Sequence, residues 1–488
     1  MAWYEYIVVG IYLITMLLLF LYSMGQLQLT LAYLKARRKQ QAPSPQITSY
    51  PFVTVQLPVY NEKYVVERLI ESVCNLNYPK DKFEIQVLDD STDDTIKLIA
   101  QKIETYKQKG IAIEQIRRPE RTGFKAGALA YGLKKAKGEF IAIFDADFVP
   151  SPDFLLKTIP HFENPKIGVV QTRWGHLNRN YSLFTKIQAF ALNAHFSVEQ
   201  TGRNYSHSFI NFNGTAGVWS KECITDAGGW SADTLTEDLD LSYRAQMKGW
   251  KFKYLEEVET PAELPVLMPA IKSQQYRWNK GAAETAVKNL RKVLTSSFSL
   301  KTKLHATFHL LNSSVFVLLL LGGLISLPML FIKYLHPQLD LLFNFASILL
   351  FGFLSIGFFF WVASKKAPYT KVKESFIPSF FTFMTISMGL SFHNGIAVLE
   401  GLFGKKTPFI RTPKFNSIDK DAFLKGNGYL KSNGGLNSVI ELLLGLYFVS
   451  GVVIGIVLND WGLLPFHAML AIGLLTISFQ SYKGARYA

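Results

Sequence analysis

Long apolar runs and short apolar runs divide this chain, and the two kinds of run predict different structures. Five long uncharged stretches are each near the ~20 residues that a helix needs to cross a bilayer. They cover residues 6–34, 312–332, 341–362, 442–458 and 461–479. No basic residue precedes the first stretch, and it is longer than a cleavable leader, so we expect it to remain as a membrane anchor.

Between the first two stretches, short apolar runs alternate with amphipathic segments over a length that can bury a sizeable core. The pattern predicts strands at 52–62, 83–95, 111–119 and 139–148, with helices between them. This alternation predicts an α/β fold with a mostly parallel, doubly wound, Rossmann-like sheet. Ligands bind beyond the carboxyl ends of the strands in such sheets.

Acidic residues stand at two of these predicted strand ends, in "DDSTDD" (89–94) and "FDADFVP" (144–150). In an extended chain, residues i and i+2 point to the same side, so Asp145 and Asp147 are expected to face one point. A metal site and a solvated turn both explain such a pair. The second acidic strand end and the glycine-flanked Lys125 in "RTGFKAGA" favour a site for a nucleoside diphosphate, with a divalent metal on the carboxylates. The glycine patterns of P-loop and dinucleotide sites are absent from the sequence.

Two later motifs carry further candidate chemistry. "TEDLDLSYRAQMKGWK" (236–251) places Thr236 and Asp238 at the predicted start of a helix, where an acidic cap is the simpler explanation. "SQQYRWNKGAAE" (273–284) groups a glutamine, an arginine and Trp278, and we expect it immediately before the chain enters the bilayer. The alternative for this motif is an interfacial tryptophan beside a snorkelling arginine.

Composition and charge support a membrane protein. Of 488 residues, 49% are hydrophobic and 14% aromatic, and the formal net charge is +15. The basic residues cluster beside the apolar stretches, at 35–39, 364–373 and 404–414, which favours cytoplasmic flanks facing anionic lipid over a nucleic-acid surface. The only cysteines, Cys74 and Cys223, imply no disulfide framework.

The basic clusters also predict the orientation of the chain. With residues 35–39 in the cytoplasm, the amino terminus lies outside and the large polar region lies inside. A sixth apolar segment, 376–399, is interrupted by Pro378 and Gly389 and is interpreted as an interfacial or re-entrant helix, with a true span as the alternative. Five spans then leave both the loop 404–414 and the carboxyl-terminal "SYKGARYA" (481–488) in the cytoplasm.

Taken in order, "PVYNE", "LDDSTDD", "GFKAGAL", "FDADF", "TEDLDLSYR" and "QQYRW" resemble the D, D-x-D, TED and Q-x-x-R-W series of processive family 2 glycosyltransferases, which include cellulose synthase. The stretches "VVQTRWGHLN", "HFSVEQ", "FNGTAGVWSKE" and "FIRTPK" are similar to the plant cellulose synthase-like A and C proteins, which are mannan and glucan synthases. The resemblance is strong over roughly residues 50 to 290. It implies a GT-A glycosyltransferase domain at 35–300, between an amino-terminal helix at 1–34 and a membrane domain at 301–488.

The resemblance also implies a role for each matching residue. Asp89 and Asp90 would contact the nucleoside, with Tyr60 and Glu62 near the base. Asp145 and Asp147 would hold Mg²⁺ or Mn²⁺, and Lys125 would bind the diphosphate. Asp238 would be the general base. The residues lining the acceptor and leaving-group end would be Thr236, Glu237, Gln274, Arg277 and Trp278.

The segment 409–414 resembles the cytosolic gating loop of cellulose synthase, with Phe409, Arg411, Thr412 and Lys414 as its site residues. It reads "FIRTPK" where that family has a Phe-x-Val-Thr pattern.

The chemistry expected from these groups is a single displacement. A metal stabilises the departing nucleoside diphosphate, and one carboxylate takes the proton of the acceptor hydroxyl, so the anomeric configuration inverts. The resemblance implies a membrane-embedded hexosyltransferase that polymerises GDP-mannose or UDP-glucose into a β-linked, β-1,4 glycan and passes it across the plasma or inner membrane. Its partners would be the nucleotide-sugar donor, the growing glycan and membrane lipids, without nucleic acid. Single-sugar transfer to a lipid, as in ceramide glucosyltransferases, and a non-enzymatic scaffold or transporter are the alternatives.

Overall fold

A seven-stranded sheet forms the centre of the polar region in the computed structural model, which describes residues 1–39, 45–339, 341–343, 350–366, 375–412, 414–416 and 435–485. The strands are β1 (Val53–Val59), β2 (Phe83–Asp89), β3 (Ile113–Ile116), β4 (Phe140–Ile143), β5 (Ile167–His176), β6 (Gly217–Ser220) and β7 (Lys251–Ala262). Their order across the sheet is β3-β2-β1-β4-β6-β5-β7.

The predicted mostly parallel α/β sheet is confirmed. Strands β1, β2, β3 and β4 pair in parallel, and so do β5 and β7, whereas β6 pairs antiparallel with both β4 and β5. Apolar side chains cover both faces: Val55 and Leu57 pack into one buried cluster, and Ile141 and Ile143 into the other. Burial on both faces explains why these strands read as continuous apolar runs.

The first helix, α1 (Trp3–Arg38), contains the first apolar stretch. The helices of the polar region are α2 (Val66–Cys74), α3 (Thr95–Gln108), α4 (Phe124–Lys135), α5 (Phe154–Thr158), α6 (Leu183–Ala194), α7 (Gln200–Tyr205), α8 (Lys221–Asp226), α9 (Glu237–Met247), α10 (Met268–Thr295) and α11 (Leu300–Leu310). A π-helical segment, His195–Glu199, joins α6 to α7. The remaining helices are α12 (Val315–Leu335), α13 (Phe351–Lys366), α14 (Phe376–Gly389), α15 (Ser391–Leu402), α16 (Leu436–Val457) and α17 (Leu464–Ala485).

The strand registers bring the acidic segments to one edge of the sheet. Val59 pairs with Asp89 in the parallel β1–β2 ladder, and Gln56 pairs with Ile143 in the β1–β4 ladder. The chain therefore leaves β1, β2 and β4 on the same side. The extended geometry expected for "DAD" is wrong, because β4 ends at Ile143 and the Phe148 amide donates to the Asp145 carbonyl at 3.0 Å, which closes a turn. Asp145 and Asp147 consequently leave the sheet edge from a turn.

Among the residues that the structure describes, four helices are long and apolar enough to cross a membrane: residues 3–38, 312–335, 436–457 and 464–484. They match four of the five predicted stretches. The fifth, 341–362, lies partly outside the described residues, and its residues from 351 onward belong to α13, which has 16 residues. The segment predicted as interfacial or re-entrant consists of α14 and α15, bent by 52° at their junction; as one broken span it would bring the number to five.

The helix α10 carries the Q-x-x-R-W motif in a different place from the one we predicted. This helix has 28 residues and continues past the motif to Thr295, and the next candidate span begins only at Asn312. The chain therefore does not enter the bilayer immediately after Trp278. A buried ion pair at 2.7 Å between Lys272 of α10 and Glu441 of α16 joins the motif-bearing helix to the membrane helices. Breaking a buried pair of this kind typically costs about 3–5 kcal/mol, so the contact fixes α10 against the membrane domain.

Candidate active site

A deep cleft opens at the carboxyl edge of the sheet, between the strand ends, the first turn of α9, the middle of α10 and the loop after α15. The predicted site residues that line it are Tyr60, Glu62, Asp90, Lys125, Asp145, Asp147, Thr236, Glu237, Asp238, Gln274, Arg277, Trp278, Phe409, Arg411, Thr412 and Lys414. Residues separated by more than 350 positions in the sequence thus share one cleft.

Asp89 is the predicted site residue that the structure places elsewhere. Its side chain is 1% exposed and accepts hydrogen bonds at 2.8 Å from the Ser91 amide and from the Gln115 side chain. Successive residues of an extended chain point to opposite sides, so Asp89 points to Gln115 of the neighbouring strand β3 while Asp90 faces the cleft. The carboxylate of Asp89 holds the loop that presents Asp90.

An arginine pair that we did not predict shapes the Asp90 end of the cleft. Arg118 donates two hydrogen bonds to the Asp90 carboxylate, at 2.8 and 2.7 Å. The Arg121 guanidinium lies 3.4 Å from the centre of the Tyr60 ring, in stacking contact. Both arginines follow the carboxyl end of β3, so the basic run "RRPER" after a parallel strand was the signal in the sequence.

The centre of the cleft is built around Lys125 and Gly214. Lys125 Nζ lies 2.5 Å from Asp145 Oδ1 and donates to the Gly214 carbonyl at 2.9 Å. Gly214 has a φ of +77°, and a Cβ placed there would meet Asp238 Oδ2 at 3.2 Å and Lys125 Nζ at 3.4 Å. A residue without a side chain is therefore required where the lysine and the carboxylate converge, which explains the glycine of "FNGT".

Asp238 lies in the first turn of α9, which begins at Glu237. A helix amino terminus ordinarily favours the charged form of a carboxylate. Here burial, followed by the charge of Glu237, outweighs that effect and raises the pKa of Asp238 to about 7. Burial also raises the pKa of Glu237. A carboxyl group that titrates near neutral pH can act as a general base in the cell.

Aromatic side chains form the wall opposite the Asp90 end. Trp278 lies with its ring 6.4 Å from that of Trp174 on β5, and Trp174 stacks on Phe196 at 4.7 Å. The Trp174 and His176 side chains, at the end of β5, each bury a ring nitrogen that has no hydrogen-bond partner among the described residues. Burial lowers the pKa of His176 to about 3, so the ring is neutral. Apolar ring faces beside unpaired polar nitrogens suit a sugar, which has both an apolar face and hydroxyl groups.

The cleft loop, residues 404–412 and 414–416, lines the cleft and contacts residues that follow β1, begin α4 and lie in α10. Arg411 pairs with Glu62 at 2.7 Å, and Phe409 stacks on Phe124 with ring centres 5.5 Å apart. Arg277 donates to Thr412 Oγ1 at 2.7 Å. Burial raises the pKa of Glu62 to about 7, an effect that Arg411 partly offsets.

Lys414 anchors the far end of the cleft loop in the turn that follows β4. Its Nζ donates to Asp147 Oδ2 at 2.7 Å and also to the Glu263 carbonyl. Both Lys414 and Asp147 are buried, with 10% and 9% of their side chains exposed. The cation of Lys414 therefore occupies one oxygen of the carboxylate that we predicted as a metal ligand.

The donor set fits a divalent metal that is shared with a substrate. Within the described part of the chain, no group of three or more His, Cys, Asp and Glu side chains is arranged to hold an ion. Mg²⁺ is usually held by one or two carboxylates together with substrate phosphates, and Asp145 and Asp147 line the same cleft. These two carboxylates can supply the protein's share of such a site.

Comparison with known families agrees with this geometry. Residues 54–221 match the family Glycosyl transferase family 2, and residues 140–363 match Glycosyl transferase family group 2. The chain carries a family 2 glycosyltransferase domain. The matched ranges include the strand ends, Lys125, the D-x-D turn, Asp238 and Trp278.

The family 2 glycosyltransferase domain also has close curated relatives. It is 43% identical over 273 residues to glucomannan 4-beta-mannosyltransferase 1 of Cyamopsis tetragonoloba, covering 55% of this chain and 51% of that protein. It is 42% identical over 267 residues to glucomannan 4-beta-mannosyltransferase 9 of Arabidopsis thaliana, covering 54% of this chain and 50% of that protein. The chain thus spans about half the length of these relatives.

A solved structure confirms the GT-A glycosyltransferase fold. A mannosyltransferase from Pyrobaculum calidifontis, determined in complex with GDP-Man and Mn²⁺, superposes with a TM-score of 0.50 at 21% identity. The match covers 74% of this chain and 100% of that one.

Proposed function

We propose that this protein is a membrane-embedded inverting hexosyltransferase that polymerises a nucleotide-activated sugar into a β-1,4-linked glycan and passes it across the membrane. The observation that carries the proposal is the convergence of Asp238 and Lys125 at Gly214, in the same cleft as the aromatic wall of Trp278 and Trp174. The similarity to glucomannan 4-beta-mannosyltransferases supports mannose as the sugar and GDP-mannose as the donor, ahead of UDP-glucose.

The Asp90 end of the cleft is assigned to the nucleoside. The Arg121 guanidinium and the Tyr60 ring form a flat pair on which a base can stack, and Asp90, oriented by Arg118, can accept hydrogen bonds from the ribose. The diphosphate then extends towards Lys125 and Arg277, whose positive charges face the departing group. A divalent metal bound by Asp145 and Asp147 would supply further stabilisation of the negative charge on the diphosphate.

Asp238 is assigned the proton transfer. The acceptor hydroxyl gives its proton to the Asp238 carboxylate as its oxygen attacks the anomeric carbon, and the bond to the diphosphate breaks on the opposite face. Because the protein contributes no covalent intermediate in this scheme, the single displacement inverts the anomeric configuration. An α-linked donor such as GDP-mannose therefore gives a β-linked product. Trp278 and Trp174 hold the acceptor sugar by its apolar face.

A fractionation experiment tests the proposed reaction. Purified protein is incubated with radiolabelled GDP-mannose or UDP-glucose and Mg²⁺ or Mn²⁺, and solvent-insoluble polymer is counted separately from extractable lipid. We expect label in insoluble polymer from GDP-mannose. Label confined to extractable lipid would support single-sugar transfer to a membrane lipid in place of polymerisation.

The pKa of Asp238 predicts the pH dependence of the reaction. The base must be ionised to accept a proton, so kcat/KM should fall about tenfold per pH unit below an apparent pKa near 7. Glu237→Gln removes a negative charge that raises this pKa, and the acid limb should move to lower pH. Profiles of kcat/KM against pH for both proteins check this. An acid limb in the same place in the variant would contradict the assignment of Asp238.

The contact between Lys414 and Asp147 predicts opposite effects of two substitutions on metal affinity. Asp147→Asn removes a charged metal ligand, so the metal concentration needed for half-maximal donor binding should rise. Lys414→Gln removes the cation that occupies Asp147 Oδ2, so this concentration should fall. Titration of nucleotide binding with Mn²⁺ measures both. If Asp147→Asn leaves the titration unchanged, Asp147 does not hold the metal.

We further propose that the glycosyltransferase domain and the cleft loop face the cytoplasm, with the amino terminus outside, in the plasma or inner membrane. Both native cysteines are buried and can be replaced by alanine. In that background, single cysteines introduced by Ile410→Cys and Tyr482→Cys, at side chains 60% and 57% exposed, should resist an impermeant reagent in intact cells. Trp3→Cys should be labelled. Labelling of Ile410→Cys in intact cells would contradict this orientation.

A further inference from the structure

A lysine next to the Q-x-x-R-W motif is buried outside the cleft. The side chain of Lys280, two residues after Trp278 on α10, is 0% exposed, and it does not line the cleft. Burying an ammonium group costs free energy unless the group is paired and hydrogen-bonded. Lys280 is not assigned to donor binding or to proton transfer, so its partners indicate what the buried charge does.

Among the described residues, the shortest hydrogen bond of Lys280 is to the cleft loop. Its Nζ donates to Thr407 Oγ1 at 2.8 Å and lies 3.4 Å from the Tyr276 hydroxyl. The Glu400 carboxylate, near the end of α15, is 3.8 Å away. Glu400 also accepts hydrogen bonds from Tyr276 and, at 2.6 Å, from the exposed Lys405. The direct hydrogen bond of Lys280 therefore goes to the loop, while Glu400 supplies a compensating charge.

The backbone fixes the start of the cleft loop beside the same helix. Gly404 has a φ of +71° and follows the end of α15, and the Lys405 amide donates to the Glu400 carbonyl at 2.9 Å. A Cβ at Gly401 would lie 2.6 Å from the Lys280 carbonyl, so α15 and α10 are in direct backbone contact. The loop consequently begins next to α10.

The helix α10 holds the cleft loop at a second point, one turn earlier in the helix. Arg277 donates to Thr412 Oγ1 at 2.7 Å, and its guanidinium lies 4.7 Å from the centre of the Phe409 ring. Arg277 and Lys280 are three residues apart, so they share one face of the helix. Phe409 stands between the two anchored threonines and lines the cleft.

We propose that Lys280 is a positioning residue that fixes the cleft loop against α10 and acts on the donor through the loop. The proposal rests on the proposed function, which places the nucleoside at the end of the cleft that follows β1. Arg411 of the loop pairs with Glu62 there, so release of the loop removes part of that wall. Without the hydrogen bond to Thr407, the loop should leave the cleft more often. This weakens donor binding and leaves the proposed base in place.

Accessibility of the loop tests the contact without using enzyme activity. In a background without the two native cysteines, Thr412→Cys places a thiol at a side chain that is 4% exposed, and Ile410→Cys places one at 60%. A hydrogen bond to a charged group shifts an equilibrium about tenfold or more. Lys280→Met and Thr407→Val should each raise the rate at which a maleimide labels Thr412→Cys in detergent by this factor. Labelling of Ile410→Cys should not change.

Donor kinetics test the positioning role. In the full-length protein, Lys280→Met and Thr407→Val should raise the KM for radiolabelled GDP-mannose about twofold or more, with kcat nearly unchanged, as expected when uniform binding is lost. Lys292→Met is the matched control, because Lys292 is exposed in the last turn of the same helix and does not line the cleft. It should leave the labelling rate and the KM at their wild-type values.

The outcomes separate this proposal from the function on which it rests. Unchanged labelling of Thr412→Cys in both variants, or a donor KM equal to that of the wild type, would overturn the proposal. If Lys280→Met aggregates in size-exclusion chromatography, Thr407→Val alone decides. If the wild-type protein makes no polymer, the proposed function fails, whereas faster labelling in the variants still supports the anchored loop.

Discussion

Asp238→Asn is expected to lower the rate of sugar transfer by about 10²-fold or more, the usual contribution of a general base. Asparagine keeps the shape of the side chain but cannot accept the proton of the acceptor hydroxyl. The contacts that hold Asp90 and Arg121 do not involve Asp238, so nucleotide affinity should remain nearly unchanged. Single-turnover transfer and equilibrium binding of GDP measure the two effects separately.

Asp226→Asn is the matched control for this experiment. Its carboxylate is exposed and pairs with Lys248 on the surface, outside the cleft. Exposed pairs contribute about 0–1 kcal/mol, so this variant should transfer sugar at the wild-type rate. Near-normal turnover of Asp238→Asn would remove Asp238 from the mechanism and leave the TED motif with a capping role alone.

Trp278→Ala is expected to weaken retention of the glycan and to yield much shorter chains, or free sugar by hydrolysis of the donor. An aromatic platform contributes about 1–3 kcal/mol to the binding of a flat ligand, which corresponds to roughly a 5- to 150-fold loss of affinity. A polymerase must hold the end of its product after every transfer, so this loss appears at each cycle. Donor binding and metal dependence should be unchanged.

Trp3→Ala distinguishes a platform from an interfacial anchor. Trp3 is 75% exposed at the start of α1, so its removal tests the loss of an exposed tryptophan near the membrane. We expect chains of wild-type length from that variant. If Trp278→Ala reduces the amount of folded protein but leaves chain length per active molecule unchanged, Trp278 serves only to stabilise the fold.

The sequence was sufficient to predict the groups that follow parallel strands. The acidic segment that contains Asp90 follows an apolar run of strand length, Lys125 stands at the glycine-flanked start of a helix, and parallel topology brings strand ends to one edge. Tyr60 was predicted only from the family resemblance. The same rule applies to "RRPER" after β3, although we did not apply it to Arg121. Local pattern and topology together therefore explain the donor half of the cleft.

Side-chain direction at a strand end was harder to predict. Asp89 and Asp90 are adjacent, and the sequence gives no reason to prefer one, whereas the structure buries Asp89 against Gln115. The D-x-D pair was placed on an extended strand, but β4 ends two residues earlier, and a turn sets the two carboxylates. A shift of one residue along a strand changes the face of the sheet that a side chain occupies. The directions of these carboxylates therefore depend on the residue at which strand pairing ends.

Contacts between distant segments could not be predicted from local pattern. The pairs Arg411–Glu62 and Lys414–Asp147 join residues separated by 349 and 267 positions, and both depend on how the membrane helices place the cleft loop. Such features follow from packing, which the sequence specifies only through the whole fold.

The central claim is that this protein makes a β-1,4-linked polymer by inversion at Asp238, and the linkage of the product tests it most directly. Polymer made from GDP-[¹³C]mannose by the purified protein would be analysed by NMR and digested with an endo-β-1,4-mannanase. The account predicts β-anomeric signals and complete conversion of the polymer into short oligosaccharides. An α-anomeric product, or label found only on an extractable lipid, would contradict it.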